Sequence, residues 1–182
     1  DGNIYFSALI QTQNVLDGRL ALETALNILQ MPSLQGLNLQ VKWPNDLYSP
    51  QGKWGGILVE PLSTNQAIIG VGINLNTPAI ENADQPITSL AMLGLHHIDR
   101  LTIIAELYTA IQQAAQWFDH GSYNLAERFN HHAIWLNQKV EFEHTQAKIQ
   151  GIFLGISNDG AVIIKTDKTQ SFYQGRMRLA ST

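Results

Sequence analysis

Apolar positions change their spacing several times along the chain, and each change marks an element. Residues Ile4–Ile10 (IYFSALI) are aromatic and β-branched, which predicts a strand. Leu16, Leu20, Leu22, Ala25, Leu26 and Leu29 then recur near helical spacing until Pro32, predicting a helix over 18–30 that packs on a sheet. Leu39–Trp43 reads as a short strand stopped by Pro44, which lacks a backbone donor. The pattern resumes at Leu47–Tyr48 and turns at Gln51-Gly52. Trp54–Glu60 and Ala67–Asn76 predict two further strands. Strands that follow one another without a helix pair antiparallel. That favours an α+β fold over a doubly wound parallel sheet.

Residues 77–87 hold two prolines and read as a loop. Thr88 or Ser89 is placed to cap a short helix through Leu93, and Thr102 a longer one. The longer helix would bury Ile103, Leu107, Ile111, Ala114 and Phe118 and end at Gly121. Ser122 is placed to cap a third, with Leu125, Phe129 and Ala133 inward. After Trp135 the period becomes two: Val140/Phe142, Ile149/Gly151/Phe153 and Val162/Ile164 alternate, and Asn158-Asp159-Gly160 is a hairpin signal. Five short strands without a helix predict a small barrel, with a boundary near residue 136.

Composition narrows the function classes. A chain of 182 residues suits one domain with a small appendage. Charged residues are 14%, and polarity is carried instead by 13 Asn and 16 Gln. The absence of Cys excludes a disulfide scaffold, a thiol nucleophile, a thiolate zinc site and an iron–sulfur cluster. A net charge of −4 does not suit a general binder of nucleic acid or anionic membrane. Neither a membrane-length apolar run nor a signal peptide is present, so a cytoplasmic location is expected. Asp1 stands where a start Met would, so a fragment, a processed chain or the ordered part of something longer is expected.

Chemistry concentrates in two stretches. Lys42-Trp43-Pro44-Asn45-Asp46, followed by Gly52-Lys53-Trp54-Gly55-Gly56, gathers two lysines, a carboxylate and an amide at strand ends. Cations there can hold a carboxylate or phosphate, and the Asp can hold Mg²⁺. In Gly70-Val71-Gly72-Ile73-Asn74, period two puts Gly70, Gly72 and Asn74 on one face and the apolar residues on the other. That gives a smooth floor for a flat ligand. Each feature also has a purely structural reading, as a bulge or a solvated turn.

KWPNDLY (Lys42–Tyr48), GKWGGILVE (Gly52–Glu60) and IIGVGINLN (Ile68–Asn76) resemble, in order and spacing, the central motifs of biotin protein ligase, the biotin–[acetyl-CoA-carboxylase] ligase family. GNIYFS (Gly2–Ser7) and the tail resemble that family's first pocket strand and its small C-terminal domain. The resemblance implies a class II synthetase-like, mixed and largely antiparallel sheet with helices over 1–135, and an SH3-like β-barrel over 136–182. It implies ATP-dependent formation of biotinyl-5′-AMP and transfer of biotin to a lysine of a biotin carboxyl carrier domain, with Mg²⁺ accompanying ATP. Lys53 then resembles the catalytic lysine, contacting the biotin carboxyl and the α-phosphate. Asp46 resembles the catalytic carboxylate, as a Mg²⁺ ligand or as an aid to the incoming lysine. Tyr5, Ser7, Lys42, Trp43, Asn45, Gly55, Gly56, Gly70, Gly72 and Asn74 resemble substrate-binding positions, with Asn74 meeting the adenylate's base.

Two departures accompany the resemblance. The family's glycine/arginine-rich loop over the adenylate is expected just before residue 1. Near the C-terminus, Arg176 stands where an acid is expected and Ala180 where an arginine is expected, which leaves Arg178 as the substitute nucleotide contact. Two other readings stay open: a non-catalytic remnant that binds nucleotide weakly or forms a homodimer through an exposed sheet edge, and a lipoate-type ligase. The chain carries no DNA-binding motif. The pairs His96-His97 and His131-His132 are expected to be ordinary histidines. Trp117, Phe118, Phe129 and Trp135 are expected in the core, and Lys139, Lys148, Lys165 and Lys168 on the surface.

Overall fold

The computed structural model describes residues 2–76, 85–97, 99–145 and 147–180. Its first half is a five-stranded sheet of β1 (Ile4–Gln11), β2 (Gln40–Lys42), β3 (Asp46–Ser49), β4 (Gly52–Pro61) and β5 (Gln66–Ile73), in the order β1-β5-β4-β3-β2. Every neighbouring pair is antiparallel. The apolar alternation decides which face is buried: Ile69, Val71 and Ile73 point into the core, while Gly70 and Gly72 point out.

Helices α1 (Arg19–Leu29) and α2 (Arg100–Asp119) contribute buried stripes to the same core, and the α2 stripe includes all five predicted positions. After α3 (Leu125–His132), a second antiparallel sheet is built from β6 (Lys139–His144), β7 (Ala147–Ile156), β8 (Val162–Lys165), β9 (Thr169–Phe172) and β10 (Arg176–Leu179). Its order is β10-β6-β7-β8-β9. Val140, Phe142, Phe153, Val162, Ile164 and Met177 join the same continuous cluster of buried residues as the first sheet. Among the described residues no helix is long and apolar enough to cross a membrane.

Several helix-end expectations are corrected. Residues 90–94 form turns rather than a helix, although the Ser89 hydroxyl does accept from Met92 N as a cap would. Asp99, not Thr102, caps α2: its carboxylate accepts from Leu101 N at 3.1 Å and from the Thr102 hydroxyl at 2.7 Å. A carboxylate satisfies two donors there, and these bonds hold its pKa below the usual range. Ser122 does not cap α3, which starts after Asn124 in the left-handed region with no cap from that side chain. The missing acceptor comes from another element, since Asn158 Oδ1 takes the Ala126 N–H at 3.0 Å. The strand predicted to Asn76 ends at Ile73. Trp117 is not in the core but half-exposed beneath the Arg128 guanidinium, 4.2 Å from the ring centroid. The four surface lysines are exposed as expected. The loop expected over 77–87 lies outside the described residues up to 84.

The two sheets are tied through the β7–β8 turn and α3. Trp43 Nε1 donates to Gly160 O at 3.0 Å, and Ile156 N donates to Asn130 Oδ1 at 2.9 Å. Ile134 N donates to Val41 O at 2.9 Å. A buried ion pair completes the helical layer: Glu23, fully buried on α1, takes both terminal nitrogens of Arg128 at 2.6 and 2.9 Å. Glu23→Gln keeps the volume but breaks the pair. It should lower unfolding stability by about 3 kcal/mol, the low end for a broken buried pair, because Arg128 keeps its Trp117 face and partial exposure. Urea unfolding monitored by circular dichroism checks this, and a loss below about 0.5 kcal/mol would contradict it.

Candidate active site

The chemistry-bearing residues converge because of strand register. In the β2–β3 hairpin Lys42 stands opposite Asp46, and in β3–β4 Asp46 stands opposite Gly56. A bulge at Leu47/Tyr48 sets Tyr48 opposite Lys53. The result is an ion triad. Lys42 Nζ lies 3.0 Å from Asp46 Oδ2, and Lys53 Nζ lies 2.6 Å from Asp46 Oδ1. Relative exposure of the side chains differs: 6% for Lys42, 14% for Asp46 and 30% for Lys53.

The backbone of Lys53 is clasped on both sides. Besides its β3 partner, its N–H donates to Pro86 O and its carbonyl accepts from Thr88 N, each at 2.9 Å. Gly52 just before it has φ +135°, and a Cβ there would come within 2.6 Å of Pro86 O, so only glycine fits. Trp54, fully buried, donates its indole N–H to Tyr48 O at 2.7 Å and locks the hairpin beneath. The lysine therefore has a fixed root and a partly exposed head.

Two cavities meet at this head. The first, about 340 Å³, runs over the outer face of the sheet and is lined by Tyr5, Ser7, Gly56, Leu58, Gly70 and Gly72, with Asp46 and Lys53 at one end. Gly72 lies between Tyr5 and Gly56, and Gly70 between Ser7 and Leu58. A Cβ on Gly70 or Gly72 would meet neighbours only at 3.7–3.8 Å, so packing does not demand glycine at either position. The absence of side chains is what opens the floor. At Gly56 a Cβ would sit 3.3 Å from both Lys53 Cε and Nζ, so this glycine makes room for the lysine head.

The second cavity, about 380 Å³, lies between the two sheets and is lined by Lys42, Asn45, Asp46, Lys53, Gln85, Arg176 and Arg178, with Trp43 among its deeper walls. Four cations face one carboxylate there, in a chain whose overall formal charge is −4. Such a concentration of positive charge in a cleft suits a polyanion. Asn45, Asp46 and Lys53 line both cavities. Lys53 can thus address a carboxylate on the glycine floor and phosphates on the cationic side.

The remaining predicted residues divide. Tyr5 is 84% exposed on the groove rim, and Ser7 is also exposed there. Asn45 spends its amide on structure, donating to Ile57 O at 2.7 Å, while its backbone O accepts from Ile57 N. Trp43 is buried, with its one donor used on Gly160 O. Gly55 is not a groove residue: a Cβ would strike Gly72 O at 2.6 Å, so it allows two strands to approach. Asn74 lies past the end of β5, outside both cavities, and its amide donates to Thr88 O at 3.1 Å. Arg178 lies on the second cavity together with Arg176, because period two turns both outward while Met177 is buried.

Three site residues were not singled out from the sequence. Leu58, 56% exposed in the outward phase of β4, was signalled by a leucine alternating with Gly56 on the floor side. Gln85, which accepts from Lys42 Nζ at 2.8 Å, carried no local signal. Arg176 was noted only as a departure. Among the described residues no group of three or more His, Asp or Glu is arranged to hold a metal ion.

Comparison with known proteins agrees with this architecture. Residues 3–74 match the model of the Biotin/lipoate A/B protein ligase family, and residues 135–177 match that of the Biotin protein ligase C terminal domain. The Bifunctional ligase/repressor BirA of Escherichia coli (strain K12) is 29% identical over 175 residues, which cover 91% of this chain and 54% of BirA. The Biotin--[acetyl-CoA-carboxylase] ligase of Paracoccus denitrificans is 28% identical over 169 residues, covering 87% of this chain and 68% of that protein. The chain spans about half the length of the BirA relatives it matches. The structure of the biotin protein ligase from Aquifex aeolicus in complex with biotin and ATP superposes with a TM-score of 0.80 at 24% identity, over 99% of this chain and 80% of that one. A second crystal structure of the Aquifex aeolicus enzyme gives 0.83 at 23% identity, over 99% and 83%. At these identities the likeness to the solved structures is one of fold.

The glycines separate floor from packing in a way that substitution can check. Gly55→Ala should lower folding stability by about 1–3 kcal/mol through overpacking. Gly70→Ala, whose Cβ would make only ordinary van der Waals contacts at 3.8 Å, should stay within about 0.5 kcal/mol of the parent. Thermal unfolding of both variants measures the difference, and equal losses would contradict the assignment.

Proposed function

We infer that this chain, a member of the biotin/lipoate protein ligase family that carries the biotin protein ligase C-terminal domain, works as a cytoplasmic biotin–[acetyl-CoA-carboxylase] ligase. Residues 1–135 are then a partial catalytic domain and 136–182 a small SH3-like domain. Its substrates are biotin, ATP and a lysine of a biotin carboxyl carrier domain. The observation that carries the reading is the position of Lys53 at the meeting point of an apolar, glycine-floored groove and a cationic cavity.

In this reading biotin lies over Gly70 and Gly72, between Tyr5 and Leu58, with its carboxylate toward Lys53. The triphosphate lies on the cationic side, against Arg176, Arg178 and Lys53. A carboxylate oxygen attacks the α-phosphorus and pyrophosphate leaves. Two anions must approach each other for that step, so the barrier is largely electrostatic repulsion. The Lys53 ammonium sits between them and follows the charge that develops. In the second step the acceptor amine attacks the acyl carbon and AMP leaves. Asp46, the carboxylate that lines both cavities among the described residues, is placed to receive the amine's proton.

Asp46 retains its own compensation throughout. When Lys53 turns toward the substrates, Lys42 stays on Oδ2, so the half-buried carboxylate does not lose both partners. The same geometry argues against a Mg²⁺ held directly by Asp46: both of its oxygens face ammonium groups at 3.0 and 2.6 Å, a donor set unsuited to a dication. No step is therefore assigned to a protein-held metal. Asn74 belongs at the base of the adenylate only if its amide exchanges its bond to Thr88 O for the ligand.

Biotin-dependent exchange of labelled pyrophosphate into ATP tests the proposal on the chain. Lys53→Ala should reduce the exchange by about 10²–10³, the scale of losing one charge-stabilising donor. Near-parental exchange would remove Lys53 from the central role. Lipoate in place of biotin should give no exchange, and the reverse preference would favour lipoate-type ligation. Absence of exchange with either acid would favour the non-catalytic remnant.

A further inference from the structure

Lys42 is held in an unusual way for a cation in a substrate cavity. It is nearly inaccessible, and its ammonium is enclosed on several sides. Asp46 Oδ2 lies 3.0 Å away and Gln85 Oε1 2.8 Å away. The ring centroids of Tyr48 and Trp135 lie 5.5 and 5.6 Å away. The two rings meet edge to face, with centroids 5.5 Å apart. Burial, and secondarily the charge of Asp46, push the Tyr48 phenol above its ordinary pKa, so that ring stays neutral.

Trp135 does not belong to the first sheet or its helices. It sits in the short segment between α3 and β6, at φ +62°, a left-handed conformation that bulky residues rarely adopt. The neighbouring backbone holds it there: Ile134 N donates to Val41 O, and Gln138 N to Trp135 O, each at 2.9 Å. A strained residue persists only where its surroundings over-determine it, and here the strain turns an indole face toward one ammonium.

We infer that Trp135 is a positioning residue for the reaction, acting through Lys42. By holding Lys42 against Asp46 Oδ2, it makes Lys42 the fixed counter-ion and Lys53 the exchangeable one. Without the indole, Lys42 loses one wall of its enclosure and leaves Asp46 more readily. Asp46 then depends on Lys53 and retains it when the substrates need it. Lys42 is accordingly a buried counter-charge rather than a direct substrate contact. This deepens the ligase reading and rests on it for its catalytic consequence, though not for the state of Lys42.

The test compares the parent chain with Trp135→Phe and Trp135→Leu, by two readouts. The first is competitive labelling of lysines with a water-soluble acylating ester, quantified by mass spectrometry. Lys42 should label slowly in the parent and about tenfold faster in Trp135→Leu, with Trp135→Phe between them, because a phenyl face holds a cation less well than indole. Lys139, Lys165 and Lys168, exposed in the second sheet and its β8–β9 turn, should label at unchanged rates. Should the leucine variant not fold, an about threefold rise in the phenylalanine variant carries the same result. Unchanged Lys42 labelling in the variants, or a common rise at all lysines, would overturn the inference.

The second readout is biotin-dependent pyrophosphate exchange. The leucine variant should lose about tenfold in kcat while KM for biotin changes by less than about twofold, with partial recovery in the phenylalanine variant. A loss confined to KM would overturn the positioning role. If the parent shows no exchange at all, the ligase reading fails, while the labelling result still decides whether Trp135 holds Lys42.

Discussion

The structure turns on one carboxylate shared by two ammonium groups. Asp46 lies at the first position of β3, where the hairpin register brings Lys42 across from it on β2 and the Lys53 side chain over from β4. An isolated buried ion pair contributes little, because desolvation cancels most of the attraction. A carboxylate with two cations is different: one can be released without leaving the anion uncompensated. The more exposed of the two, Lys53, is the one proposed to be released. Glycine at position 56 lets that lysine lie across the strand instead of standing away from it.

That arrangement is completed from the second sheet. Trp43 is in the middle of the charged motif, yet its indole N–H is committed to Gly160 O in the β7–β8 turn. The same turn supplies Asn158 as the acceptor for the start of α3, and α3 leads directly to Trp135. Strand β10 brings Arg176 and Arg178 to the cavity that Lys53 faces. One continuous core runs beneath both sheets, so the cleft between them is set by packing as much as by hydrogen bonds. Any ligand in the cationic cavity is therefore held by groups from both halves of the chain.

The features legible in the sequence were those with a period or a motif. Alternation placed Gly70 and Gly72 on the open face of β5, and Gln51-Gly52 marked the turn between β3 and β4. What was not legible depended on partners distant in sequence. Thr102 looks like a cap, but Asp99 outcompetes it by accepting two donors, one of them from Thr102 itself. Ser122 looks like the cap of α3, but the acceptor comes from Asn158, more than thirty residues further on. Gly55 and Gly70 are the same residue type in neighbouring strands. Only three dimensions show that one is needed for backbone approach and the other leaves space. Gln85 meets the site through its bond to Lys42, which no local pattern encodes.

In the proposed reaction Lys53 exchanges Asp46 for the reacting anions while Lys42 stays. A crystal structure of the chain with a non-hydrolysable biotinyl-adenylate analogue tests it most directly. The analogue's acyl–phosphate link should lie beside Lys53 Nζ, with that nitrogen withdrawn from Asp46 Oδ1 and Lys42 Nζ still within hydrogen-bond distance of Oδ2. Lys53 remaining on Asp46 while Lys42 turns to the analogue would contradict it.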